Sequence, residues 1–147
     1  DRHWRPDFGT LPKLCGNKPP SATAVVTSPP IPQHNKAQLG YYTYLARAGW
    51  KVIRALPLIG WNGRIAENEA KVDGAVRSAL YRAIPEADGI ILLSGDGGMT
   101  QAVQFSRSHG KEVLVVAWDG TIHDALAAAA TRVITLDALR PELSRAW

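Results

Sequence analysis

The sequence predicts an α/β domain of three layers built on a mainly parallel sheet, and three observations carry that prediction. Short β-branched or apolar runs of strand length recur along the chain, segments with helical apolar spacing lie between them, and a helix–glycine–basic–strand junction occurs twice. The prolines come first. Seven of the ten fall within the first 32 residues, which predicts an extended or looped start, so residues 1–21 read as a Pro-rich segment, 22–140 as the folded domain and 141–147 as a tail. The strand-length runs are ATAVVT at 22–27, KVIRAL at 51–56, GIILLS at 89–94, EVLVVAW at 112–118 and RVITL at 132–136. Three of them are almost continuously apolar, as strands covered on both faces are. Leu39, Tyr42, Leu45 and Ala46 form one helical stripe, and Val72, Ala75, Val76, Ala79, Leu80 and Ala83 form a longer one. Further helices are expected over about 99–109 and over the alanine-rich 121–130. LARAGW-KVI and SRSHG-KEVLVV are the repeated junctions, and they make Gly49 and Gly110 the expected helix C-caps.

A chain of 147 residues is one domain by length and long enough to bury a core. With 46% hydrophobic and 20% charged residues it has a globular composition, and no apolar run approaches the roughly 20 residues of a membrane span. No membrane partner is expected. The single cysteine, Cys15, excludes an internal disulfide and a cysteine-rich zinc site, and no signal peptide opens the sequence, so a reducing, cytoplasmic setting is expected. A net charge of +4 suits a phosphate-rich partner and equally suits plain solubility.

In open parallel sheets ligands bind at the carboxyl ends of the strands. Ser28, Asp96, Asp119 and Asp137 follow four of the expected strands, which makes an acidic pocket there the expectation. The strongest local signal is Ser94-Gly95-Asp96-Gly97-Gly98, where glycines permit a tight turn and close backbone approach while the carboxylate projects from the sheet. The second is Lys71-Val72-Asp73, which sets Asp73 at the edge of a buried helix face. Carboxylates brought together repel unless a cation neutralises them; Mg²⁺ or Mn²⁺ takes oxygen ligands and activates water for phosphodiester hydrolysis. The plainer readings are that Asp96, Asp119 and Asp137 each cap or turn the chain and that Asp73 pairs with Arg77 one turn on. Glycine density around Asp96 exceeds what a cap requires.

These segments in this order, KVIRALPL, the helix with Lys71-x-Asp73, ADGIILLSGDGG, HGKEVLVVAW and RVITL, resemble the NYN-domain family, in its bacterial LabA-like branch, among the PIN-like ribonucleases. The resemblance runs from about residue 22 to 137. It implies a PIN-like (Rossmann-like) fold and a metal-dependent ribonuclease with Mg²⁺ or Mn²⁺, in which Asp73 and Asp96 match two acidic metal-site residues. Two departures stand out. Gly98 and Met99 occupy positions where the family usually has a further acid and an aromatic, and no strand ending in Asp precedes Ala22. The opening DRHWRPDFGTLPKL resembles the segment that follows the family's first helix, so the first central strand is expected to be missing from the given chain. Asp119 is the expected replacement for the acid absent at Gly98, and Asp1 and Asp7 are candidate substitutes for the upstream one.

Lys71, Arg64, Arg77, Arg82 and Arg107, with Trp61 and Trp118, are the expected substrate side, because cations neutralise phosphates and indoles stack on unpaired bases. The chemistry suits single-stranded RNA. The loop 57–68 is the expected lip, and a homodimer would cover the exposed-looking YYTY segment at 41–44. The histidines lack metal-ligand spacing, and no Ser-His-Asp arrangement is visible. Two other readings compete with the nuclease. One is a catalytically impaired module that binds RNA or protein; the other is a nucleotide or lipid kinase-like fragment, whose family's GGDGT loop SGDGG resembles, against which the length of the chain counts.

Overall fold

A computed structural model describes residues 4–15, 22–27, 36–55, 58–59, 65–66 and 69–144. They divide into two compact units, one spanning Asp7–Val76 and the other comprising the residues up to Pro6 together with those from Arg77 on.

In the first unit a 3-10 helix, Phe8–Cys15, stands where the prolines led us to expect an extended start. Pro12 lies inside it, and the Asp7 side chain ties down its first turn by accepting from the Gly9 N–H at 3.1 Å. Strand β1 (Ala22–Thr27) pairs in parallel with β2 (Trp50–Ala55), and α1 (Lys36–Arg47) connects them. Gly49, at φ 106°, ends that connection as expected. Tyr42 and Leu45 are the buried part of the α1 stripe, whereas Ala46 is exposed. The YYTY stretch is therefore not an exposed patch: Tyr42 is buried, and the Tyr44 hydroxyl donates to Asp7 Oδ1 at 2.6 Å. Within the expected lip, β3 (Leu58–Ile59) pairs antiparallel with β4 (Ile65–Ala66). Ser28, Trp61 and Arg64 lie outside the described residues, as does the side chain of Lys71.

Helix α2 (Glu69–Ala83) leads into the second unit. There β5 (Gly89–Leu92), β6 (Glu112–Ala117) and β7 (Arg132–Thr135) form a parallel sheet in the order β5-β6-β7. Between them run α3 (Thr100–Ser108) and α4 (Asp124–Ala129), and α5 (Arg140–Leu143) follows. Central β6 meets the expectation for a covered strand, with Val113, Val115, Val116 and Ala117 all buried. Edge strand β5 does not. It alternates, with Ile90 and Leu92 buried on the face they share with Val113 and Val115, and Ile91 left 42% exposed on the other. Met99, Ala102, Val103, Ser106, Leu126 and Leu143 complete this core, each at 1% exposure or less. Burying Ser106 is cheap because its hydroxyl donates to the Ala102 carbonyl one turn back. Gly110, at φ 76°, supplies the second left-handed cap.

The α/β class with parallel strands is thus what forms, and among the described residues no strand precedes β1.

Candidate functional site

The site is built where β5 and β6, adjacent and parallel, both end. The segment 93–96 leaves β5, the segment 118–123 leaves β6, and the two are joined by a hydrogen bond from the His123 N–H to the Gly95 carbonyl, 2.9 Å. Two glycines make this approach possible. A Cβ on Gly95 would run into the Thr121 carbonyl, and one on Gly97 would stand 2.8 Å from the His123 ring. Gly98 is different. A Cβ there would meet Asp96 Oδ1 at 3.2 Å and Arg77 Nη1 at 3.5 Å, a tight but adjustable fit beside two side chains. The glycine run therefore serves packing between loops at two positions, and at the third a Cβ fits once a neighbouring side chain gives by a few tenths of an ångström.

Asp96 is the N-cap of the short 3-10 helix Gly97–Met99 that opens α3. Its Oδ1 accepts the Gly98 N–H at 2.7 Å, and its own N–H donates to Ser94 Oγ at 3.2 Å. The cap reading and the site reading are compatible, because one carboxylate oxygen takes the cap bond while the side chain remains exposed at the strand end. Ser94 fixes the turn through its hydroxyl. Arg77, on α2, brings its guanidinium to the same loop.

Other candidates have different surroundings. Asp119 is exposed in the turn closed by the Thr121 N–H and hydroxyl on the Trp118 carbonyl. Asp137 accepts from the Trp4 indole at 3.2 Å, and Trp4 in turn meets Trp118 edge to face at 5.5 Å. Trp118 is thus partly engaged by another indole. Arg107, expected on the substrate side, donates to the Ala129 carbonyl at the end of α4, 3.0 Å away, which is a capping role. Asp7 is 7% exposed and accepts from Tyr44 and Gly9, so it is built into the first unit. Asp73 is half-buried on the part of α2 that belongs to that unit. Among the described residues no three His, Cys, Asp or Glu side chains are gathered as a metal cluster.

His123 was not singled out from sequence, yet it lies against Gly97 and caps α4, its Nδ1 accepting the Ala125 N–H at 3.2 Å. The alanine-rich helix was expected from 121 and starts instead at Asp124, which makes His123 its cap; an imidazole in a position usually held by Ser, Thr, Asp or Asn gave no pattern to recognise.

The NYN domain family matches residues 10–137 of this chain. The chain belongs to the NYN domain family. As a PIN-like α/β domain it is also similar to curated and solved proteins. It is 30% identical over 79 residues to the low amplitude and bright protein LabA of Synechococcus elongatus, a stretch that covers 54% of this chain and 42% of that protein. The NYN chain therefore aligns with less than half the length of this relative. A crystal structure of a protein of unknown function from Vibrio parahaemolyticus shares the fold with a TM-score of 0.76 at 19% identity, over 92% of this chain and 82% of that one.

Proposed function

We propose that this NYN domain is a metal-dependent ribonuclease that hydrolyses single-stranded RNA, with Asp96 and Asp73 as the acidic residues that hold Mg²⁺ or Mn²⁺. The observation that carries the reading is the Asp96 loop, where a carboxylate is fixed by the Gly98 N–H at the carboxyl end of a parallel strand, beside a guanidinium. The donor chemistry fits a hard cation. Mg²⁺ keeps most of its waters and needs only one or two protein carboxylates, so the Asp96 loop does not require a triad around it. When bound, such an ion would lower the pKa of a coordinated water and offset charge on the scissile phosphate.

The chain's own groups supply the rest. Ser94 and the Gly98 N–H hold Asp96 in one orientation, which spares the site from reordering during reaction. Arg77 neutralises a phosphate oxygen, and Lys71, Arg64 and Trp61 contribute to RNA affinity. Asp119 is proposed as a further metal ligand; a Mn²⁺ titration in which Asp119→Asn retains wild-type affinity removes it. Asp96→Asn and Asp73→Asn are each expected to reduce Mn²⁺-dependent cleavage by about 100-fold or more, the scale on which single electrostatic groups act in such sites. Full activity in both variants would overturn the proposal.

A second reading is favoured by Gly98. The family's usual acid is absent there, as an impaired module that binds RNA or protein would have it, and the discriminating variant is feasible because a Cβ at Gly98 meets side chains that can adjust. Gain of cleavage in Gly98→Asp identifies an impaired nuclease, and unchanged cleavage in an active wild type removes this alternative.

A further inference from the structure

Tyr81, Ile91, Phe105 and Val133 are the large hydrophobic side chains left most exposed among the described residues, and two of them touch. Tyr81 on α2 meets Phe105 on α3 edge to face, with ring centroids 5.3 Å apart, and Phe105 meets His109 at 4.2 Å. Single exposed apolar residues are ordinary, but three aromatic rings in series on one surface form a patch that calls for a partner. His109, the C-cap of α3, follows Phe105 by one turn, and the Phe105 carbonyl accepts from His109 Nδ1 at 2.9 Å, which holds the imidazole against the phenyl ring. All of these groups lie in one compact unit.

The series leads back to the candidate site. Arg77 stands one helical turn, about 6 Å, before Tyr81 on α2, and its guanidinium is the group beside Gly98 and Asp96. Charge selects among partners. Along α2 from Arg77 to Ala83 and along α3 there is no acid, against Arg77, Arg82 and Arg107, the last held on the Ala129 carbonyl; Glu86, Asp88 and Glu112 stand beyond the two helices, and the rest of α3's exposed surface is Gln101, Gln104 and Ser108. A polyanion meets no repelling carboxylate on that helix. An apolar protein surface would be served by larger, contiguous aliphatic area, whereas a short run of aromatic rings with cations on the same helices matches unpaired bases on a phosphate chain.

We propose that Tyr81, Phe105 and His109 form a base-stacking track on which single-stranded RNA lies as it leaves the Asp96 loop past Arg77. The proposal rests on the RNA reading above and adds the residues that hold the strand. Stacking is sequence-tolerant, so the track recognises unpaired RNA as a class.

The test is fluorescence anisotropy of a short labelled oligouridylate with the whole chain in EDTA, where binding is read without cleavage. Tyr81→Leu and Phe105→Leu keep apolar bulk and remove the π face; each is expected to weaken binding at least about fivefold, the lower end of what one base–aromatic stack carries. Phe105→Trp retains affinity, and an abasic ribose-phosphate chain of equal length binds wild type and variants alike. Equal oligouridylate affinity in wild type and both leucine variants, or no binding by wild type, overturns the track; the former outcome leaves the surface to a protein partner. Should the variants fail to fold, ultraviolet crosslinking of thiouridine-substituted RNA to the wild-type chain decides: adducts on Tyr81, Phe105 or His109 support the track, and adducts confined elsewhere contradict it. Lost affinity in the leucine variants together with no cleavage by wild type in Mn²⁺ keeps the track and removes the nuclease. Unchanged affinity with Asp96-dependent cleavage does the reverse.

Discussion

Gly95, Asp96 and Gly98 differ in what they tolerate, and the difference is measurable. Gly95→Ala forces a methyl group onto the Thr121 carbonyl, and since backbone on both sides must shift, a loss of about 1–3 kcal/mol is expected in chemical denaturation. Gly98→Ala meets only side chains and is expected to stay within about 1 kcal/mol of wild type. If the two variants proved equally stable, the account of close approach between the loops would be wrong. Asp96→Asn keeps an oxygen for the Gly98 N–H, so its stability should change by no more than about 1 kcal/mol, which separates folding from chemistry in any activity measurement. The sequence made Asp96 and its glycines visible because strand, turn residues and carboxylate are contiguous. His123 was not legible, for its place beside Gly97 depends on two loops that are far apart in the chain. Arg107 was misplaced for the same reason: nothing local tells that its guanidinium reaches the end of α4.

At the scale of elements, the helix–glycine–strand junctions were readable since a left-handed residue after a helix nearly names itself. Gly110→Ala retains the fold and is expected to cost about 1–2 kcal/mol, the penalty of a Cβ at positive φ, visible as a lowered thermal midpoint. An unchanged midpoint would contradict the cap assignment. Leu126 is fully buried in α4, and Leu126→Ala should cost about 2–5 kcal/mol. Strand β6 was legible from hydrophobicity alone because both its neighbours and both its faces cover it. Strand β5, equally apolar in sequence, lies at the edge of its sheet and leaves Ile91 exposed, a distinction set by pairing rather than by composition. The 3-10 helix around Pro12 escaped for a related reason: proline density argues for extended chain, and what turns it back is a set of local bonds in which Asp7 accepts from Gly9 and Thr10.

For the whole molecule, the proposed reading is an RNA-directed protein with its chemistry at strand ends, with which a charge of +4 and membership of the NYN domain family are compatible. Salt should reveal the charge. With phosphates met by about five cations, Arg64, Lys71, Arg77, Arg82 and Lys111, the logarithm of RNA affinity should fall with the logarithm of salt at a slope of roughly −3.5, at about 0.7 per phosphate for a single strand. A slope near zero would leave the basic residues without a role in binding. The α/β class was legible at this scale, since alternating strands and helices state it directly. The division into separate β1-β2 and β5-β6-β7 sheets was not, because strand order is decided by contacts between distant segments.

Whether Asp96 serves metal-dependent RNA hydrolysis is read from cleavage of an end-labelled single-stranded RNA by the purified chain in Mn²⁺, in EDTA, and with Asp96→Asn in Mn²⁺. Product is expected only for the wild-type chain with metal. Product that persists in EDTA or in Asp96→Asn, or an intact substrate under all three conditions, would contradict that role.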